Sequence, residues 1–316
     1  MISPSLISGA ILGWALGANN AANCFATAVT TRAVKYSVAV AVTGVFVVLG
    51  AWLEGAKGVH KLSGYAYSSG VDRPIEAFLV MFAAAFTITL MTILKYPVST
   101  SQAIIGSIIG SAALEGKADF SKTSQFFGAW FATPLGALVI GYVLYMFMEK
   151  YLEKKIMGFN FYDRFIRTAY IVAGAFSAYS LGANNVANVT SVYAGELNLI
   201  TSLQAQIIGG LTIALGVITF AKPVMMTVGE GITPLSPLSG FVSVLTAGIV
   251  VYIYAQIGIP VSTSQAIVGA VVGIGLVKGT KTVNYKTIRN ILFAWFGTPT
   301  IGALVSVIVF SIYRFF

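Results

Sequence analysis

Leu16-Gly17-Ala18-Asn19-Asn20-Ala21-Ala22-Asn23 recurs as Leu181-Gly182-Ala183-Asn184-Asn185-Val186-Ala187-Asn188, with seven of eight positions identical. The repeat decides the fold because three of its seven matching residues are asparagines, which apolar composition alone cannot produce. Two further blocks follow in the same order. Pro97-Val98-Ser99-Thr100-Ser101-Gln102-Ala103-Ile104 returns unchanged from Pro260 to Ile267, and Trp130-Phe131 with Pro134 returns as Trp295-Phe296 with Pro299. The spacing is nearly constant, at 165, 163 and 165 positions. The chain therefore reads as two homologous halves, residues 1–148 and 165–316, joined by a linker at 149–164.

Around these blocks the chain is apolar. Of 316 residues, 57% are hydrophobic and 9% charged, where a soluble domain carries about 25% charged residues. The mean hydropathy is +0.86. A soluble enzyme and a disordered chain are both excluded by this balance. Ten apolar segments lie near 3–31, 37–56, 75–95, 97–114, 124–148, 165–195, 200–221, 236–257, 260–277 and 287–313. Most are about 20 residues long, enough for a hydrocarbon core about 30 Å thick, and each is expected to be helical because a lone span must satisfy its own backbone. The first is a retained span rather than a signal peptide: it has no basic leader, and its core recurs at 181–188. Whether 97–114 and 260–277 cross fully or re-enter stays open.

With the linker cytoplasmic, the connections on its side hold most of the lysines and arginines, which places both termini outside a cytoplasmic (inner) membrane. The net charge of +9 sits in these short connections, where lipid headgroups explain it better than nucleic acid. One cysteine, Cys24, rules out an intrachain disulfide. One histidine, His60, in a polar stretch, reads as a solvated loop residue. Glu54, Glu76 and Glu230 read as solvated caps near segment ends or in loops, and the Trp-Phe pairs as packing or interface anchors.

Five segments per half is an odd number, so the second half enters the membrane from the opposite side. The fold class is an all-α polytopic membrane protein of two inverted-topology repeats with broken helices, the architecture of many secondary transporters, in which equivalent motifs meet near the midplane. Gly-Ala-Asn-Asn is a poor helix interior and reads as a helix break facing a protein-lined cavity. Its carbonyls and amides are the oxygens that a hard cation such as sodium needs. In the second motif proline suits the first helical position, which puts Ser99, Thr100 and Ser101, and again Ser262, Thr263 and Ser264, in first turns with free backbone N–H groups. Two helix N-termini facing each other would make a neutral pocket attractive to an anion. Hydrogen-bonded helix glue is the plainer role for such residues; two identical polar octapeptides in matching positions favour a site.

These residues resemble the inorganic phosphate transporter family, whose members pair phosphate with sodium or protons. Its signature is Gly-Ala-Asn-Asp-x-Ala-Asn once per half, with Pro-x-Ser-x-Thr-His or Pro-Val-Ser-Thr-Thr-His also once per half. The resemblance covers essentially the whole chain, the Thr-Pro-Leu-Ser-Pro run ending at Pro237 included. It implies a symporter, not an enzyme, that imports inorganic phosphate. Carried over, Ser99, Thr100, Ser101, Gln102 and Asn23 bind phosphate with Ser262, Thr263, Ser264, Gln265 and Asn188, and sodium lies at Asn19, Asn20, Asn184 and Asn185. Two departures are doubled. Asn20 and Asn185 replace the family's aspartate, and Gln102 and Gln265 stand where histidine is frequent. With every expected titratable group neutral, sodium rather than protons is the expected coupling ion. The implied partners are inorganic phosphate, sodium and the lipid bilayer, with a homodimer left open, no nucleic acid and no organic cofactor. A proton-coupled or sulfate-type oxyanion transporter is the nearest alternative, and an ion channel is the alternative of another class.

Overall fold

The computed structural model describes residues 4–93, 98–153, 159–231, 236–279 and 285–315. Pro97, Lys95, Lys281, part of the 149–164 linker and Thr233 lie outside them. The described residues are almost wholly helical: α1 (Leu6–Asn19), α2 (Ala26–Thr30), α3 (Tyr36–Glu54), α4 (Ala56–Ser68), α5 (Pro74–Ile93), α6 (Thr100–Glu115), α7 (Phe120–Met148), α8 (Phe159–Thr190), α9 (Ser202–Gly231), α10 (Pro237–Ile257), α11 (Thr263–Lys278) and α12 (Tyr285–Phe315).

Among the described residues, six helices are long and apolar enough to cross a membrane: Tyr36–Glu54, Pro74–Met91, Ser121–Leu152, Ser202–Pro223, Pro237–Ile257 and Trp295–Phe315. The ten apolar stretches of the sequence thus become six full-length spans and several shorter or more polar helices. α6 and α11 have 16 residues each, about 24 Å at 1.5 Å per residue, less than a hydrocarbon core. Both begin deep in the protein, at Ser99 and Ser262, which are 0% and 1% exposed.

In the first half α1 ends within Gly-Ala-Asn-Asn, whereas α8 runs through its motif and breaks just past it. α1 runs to Asn19, a 3-10 turn takes Ala21–Cys24, and the chain leaves helical geometry at Phe25 (φ −131°, ψ 6°). α8 runs straight through its motif to Thr190 (φ −133°, ψ −8°), followed by a 3-10 turn at Ser191–Tyr193. Phe25 and Thr190 are equivalent positions of the two halves. In the second half the motif backbone stays helical, and its asparagine side chains supply polar groups without unwinding.

Two further expectations change. The polar stretch around His60 is not a loop: it forms α4, whose Gly58, Val59, Leu62, Tyr65 and Ala66 are buried while His60 is exposed. Glu54 is not a solvated cap either. Its carboxylate is half-buried and accepts hydrogen bonds from two tyrosines. Glu76, in contrast, does cap, though buried at 2% exposed and paired with Arg73 rather than solvated: it accepts from the backbone N–H groups of Asp72 and Arg73 at 3.0 Å, satisfying donors ahead of α5. The side chain of Glu230 lies outside the described ones.

Helices pack through glycines in matched pairs. A Cβ on Gly106 of α6 would strike the carbonyl oxygen of Pro299 on α12, and one on Gly269 of α11 that of Pro134 on α7. Gly17 meets Ile213 as Gly182 meets Val47, and Gly50 meets Tyr179 as Gly216 meets Trp14. Small residues let membrane helices approach this closely, and dispersion between backbones replaces the hydrophobic drive absent in lipid. Gly106→Ala or Gly269→Ala is expected to destabilise the protein by about 1–3 kcal/mol, the usual cost of overpacking. Thermal unfolding in detergent checks this against Gly128→Ala, where a Cβ meets nothing within 4 Å.

Candidate functional site

Both Ser-Thr-Ser turns are built alike. Ser99 and Ser262 are N-caps in extended conformation, and their hydroxyls accept from the N–H of Gln102 (3.4 Å) and Gln265 (3.3 Å). The serine, not the proline, thus opens each helix. Pro260 lies two residues before the cap, and Pro97 is outside the described residues. A side-chain cap satisfies an orphan N–H, which a proline at the first position would only have removed. Thr100 and Ser101, with Thr263 and Ser264, follow in first turns whose remaining amides have no intrahelical acceptor. The eight side chains from Ser99 to Gln102 and from Ser262 to Gln265 are all at most 7% exposed.

The asparagines reach these turns. Asn20 Nδ2 donates to Thr100 Oγ1 at 3.0 Å, and Asn23 Nδ2 to Ser264 Oγ at 3.3 Å. One short segment of the first half therefore touches both turns. In the second half the pattern differs. Asn184 Nδ2 donates to the carbonyl of Ile259 (2.8 Å), and its Oδ1 accepts from the N–H of Val261 (2.9 Å). The amide of Asn184 thus pairs with the extended backbone before Ser262 as a neighbouring strand would. That backbone departs from α10 at Gly258, whose φ of 74° suits glycine. A relay continues along α8: Asn188 Nδ2 donates to Asn185 Oδ1 at 3.0 Å, and Asn185 Nδ2 lies 3.5 Å from Asn184 Oδ1. Asn20, Asn184, Asn185 and Asn188 are each at most 1% exposed, while Asn19 is half-buried.

Several oxygens in this region have no hydrogen-bond partner among the described residues: Asn20 Oδ1, Asn188 Oδ1, Gln102 Oε1, Gln265 Oε1 and Thr263 Oγ1, each buried. A buried acceptor left unpaired costs about 1–3 kcal/mol, and native interiors tolerate few. Four of the five belong to the two turns or to Asn20, which bonds Thr100, and are groups that a polar ligand could satisfy. The side chains themselves carry no charge. Their chemistry is mixed, with amide oxygens for a cation or a P–OH, and hydroxyls and first-turn N–H groups for an anion.

The sequence missed two features of this region. Ser191, one turn past Asn188, is 1% exposed with an unpartnered hydroxyl; it stands where the first half has Ala26, so the repeat does not signal it. The backbone of Ile259 and Val261 carries no side-chain signal at all. The Trp-Phe pairs are packing elements as expected. Phe131 and Phe296 meet with ring centroids 6.0 Å apart, and Trp130 and Trp295 line, with Gln102 and Gln265, an apolar cavity of about 320 Å³ between α7 and α12.

Comparison with known proteins follows this geometry. A family model described as the phosphate transporter family matches residues 16–306. A protein of Methanocaldococcus jannaschii named "Putative phosphate permease" is 33% identical over 98% of this chain and 96% of its own. A like-named protein of Thermococcus kodakarensis is 28% identical over the same shares. Among solved structures, one described as the sodium-dependent phosphate transporter superposes with a TM-score of 0.88 at 22% identity, covering 98% of each chain. That likeness extends to the fold.

Proposed function

This chain belongs to the phosphate transporter family, whose members are permeases and not enzymes, and on that premise we propose that it imports inorganic phosphate across the cytoplasmic membrane by sodium symport. The observation that carries the reading is the pair of identically capped, buried Ser-Thr-Ser turns, both reached by asparagines at positions 20 and 23. Ser99, Thr100, Ser101 and Gln102 hold one side of the anion, and Ser262, Thr263, Ser264 and Gln265 the other, with Asn23 and Asn188 between. The helix N-termini attract the negative charge. The free oxygens of Asn20 and Asn188 and the relay through Asn185 supply neutral ligands for sodium. Asn184 enters this arrangement as the residue that holds the second turn in place.

The halves 1–148 and 165–316 act as inverted repeats about an axis in the membrane plane, with the 149–164 linker cytoplasmic and both termini outside. The matched glycine contacts support this, since each contact made by one half has a counterpart with the partners exchanged. Alternating access would then follow from rocking one set of helices against the other.

Anion choice tests the site. At neutral pH phosphate keeps at least one proton and sulfate none, so an acceptor aimed at the P–OH repels sulfate. Amide oxygens are weaker enforcers than a carboxylate, because an amide can turn and donate. Asn20→Asp and Asn185→Asp are each expected to alter one of two quantities: the phosphate-over-sulfate ratio if the side chain faces the anion, or sodium affinity if it faces the cation. A buried polar mismatch discriminates by up to about 10⁴-fold. Labelled phosphate uptake in competition with excess sulfate reads the first, and its sodium dependence the second. No change in either quantity in both variants would remove these asparagines from the site.

A further inference from the structure

Glu54 ends α3, where the helix dipole disfavours a carboxylate, yet it gathers three side-chain donors from two other helices. Its Oε1 accepts from Tyr179 on α8 (2.6 Å) and Tyr252 on α10 (3.3 Å), and its Oε2 from the amide of Gln256 on α10. Gln256 in turn accepts from Lys57 of α4 at 2.8 Å. The rings of Tyr179 and Tyr252 are 6.4 Å apart, and Phe176 packs on Tyr252 at 5.6 Å. One carboxylate thus ties the ends of α3 and α10 to the middle of α8.

Its place matters. Tyr179 lies five residues before Asn184, and Gln256 three residues before Ile259, so the tie joins the two elements that the Asn184 clamp joins, one helical turn further out. The other half carries the same contact in a different chemistry. Trp14 stands at the position equivalent to Tyr179; by the register that pairs Gly50 with Gly216, Phe220 stands at that of Glu54, its ring 5.8 Å from that of Trp14, and Trp14 Nε1 donates to the adjacent Thr219 Oγ1 at 2.8 Å. This pair is neutral, single and exposed. Charge-assisted bonds are roughly twice as strong as neutral ones.

We infer that Glu54 is a positioning residue that latches one end of the transporter, holding α8 and α10 closed over the Ser262–Gln265 turn, while the Trp14–Thr219 pair is a weaker latch at the opposite end. The two ends of the repeat therefore open with unequal ease, and the Glu54 end must release its carboxylate in each cycle. The inference rests on the transport reading above, and its test separates the two.

The test is thiol labelling of Thr263→Cys in a Cys24→Ser background, in proteoliposomes, with a membrane-impermeant maleimide added from either face. Glu54→Gln keeps the size of the side chain and removes its charge. It is expected to speed labelling from one face by roughly fivefold or more, the scale set by exchanging charge-assisted for neutral bonds, and to leave labelling from the other face unchanged. Trp14→Phe is expected to speed labelling from that other face, and by less. Should Glu54→Gln not insert, Tyr179→Phe with Tyr252→Phe removes the two hydroxyl donors, keeps the acid and gives the same one-sided increase. Equal acceleration from both faces signals general loosening and overturns the latch; so does no acceleration from either. Saturable uptake of labelled phosphate by proteoliposomes of the Cys24→Ser protein, with Thr263 intact, reads the substrate assignment independently: no uptake with one-sided acceleration of labelling overturns the phosphate reading and leaves the latch standing.

Discussion

Ser99→Ala combined with Ser262→Ala is expected to abolish phosphate binding while leaving the protein inserted and folded. Both hydroxyls are buried N-caps, and each can also present its O–H to an anion lying across the turn. The structural cost is small: losing a serine cap costs about 1 kcal/mol, so two cost about 2 kcal/mol, within the margin of a stable domain. The functional cost is larger. A hydrogen bond to a charged group contributes about 1.5–3 kcal/mol, and two lost together weaken binding by roughly two to four orders of magnitude. Equilibrium binding of labelled phosphate to the purified double variant checks this, with thermal unfolding as the control. Full binding in the double variant would detach the turns from the anion site.

Asn184→Ala should fail for a different reason. The Asn184 amide is the partner of one backbone carbonyl and one backbone N–H in the chain that leads to Ser262. Its removal orphans both at a position that is 1% exposed, at about 1–3 kcal/mol each. A loss of about 2–6 kcal/mol and collapse of transport are expected together. Asn20→Ala is the instructive contrast. Asn20 makes one side-chain bond, to Thr100, and its oxygen is already unpartnered. It should lose sodium dependence with a much smaller loss of stability. Unfolding curves alongside uptake separate the two; similar curves for both variants would deny Asn184 its clamping role.

The membrane class and the doubling of the motifs were legible because seven polar residues recurring in an apolar chain have few physical uses. The capped turns were nearly legible too. The motif places serines at a helix start, and only the choice between serine and proline as the opening residue went the other way. What differs between the halves was hidden. Two near-identical asparagine motifs read alike, yet α8 stays helical through its motif while α1 passes into a 3-10 turn at Ala21. The difference lies in which neighbour each amide meets, and partners such as the backbone of Ile259 and Val261 carry no pattern. α4 was missed because its stretch is polar and glycine-containing; it is helical because one narrow face, Val59, Leu62 and Tyr65 among it, is buried against the bundle. Glu54 was misread for a related reason. A glutamate at a helix end resembles a solvated cap until Tyr179 and Tyr252, 125 and 198 residues away, are seen to close on it.

The proposed sodium coupling rests on the neutrality of the signature positions: Asn20, Asn185, Gln102 and Gln265 cannot carry a proton through the cycle, whereas sodium requires only oxygens. Uptake of labelled phosphate into proteoliposomes under opposed gradients puts the question directly. An inward sodium gradient at equal pH is predicted to drive phosphate above its equilibrium level, and an inward proton gradient without sodium to leave it at background. Undiminished accumulation in sodium-free buffer under the proton gradient would contradict the account.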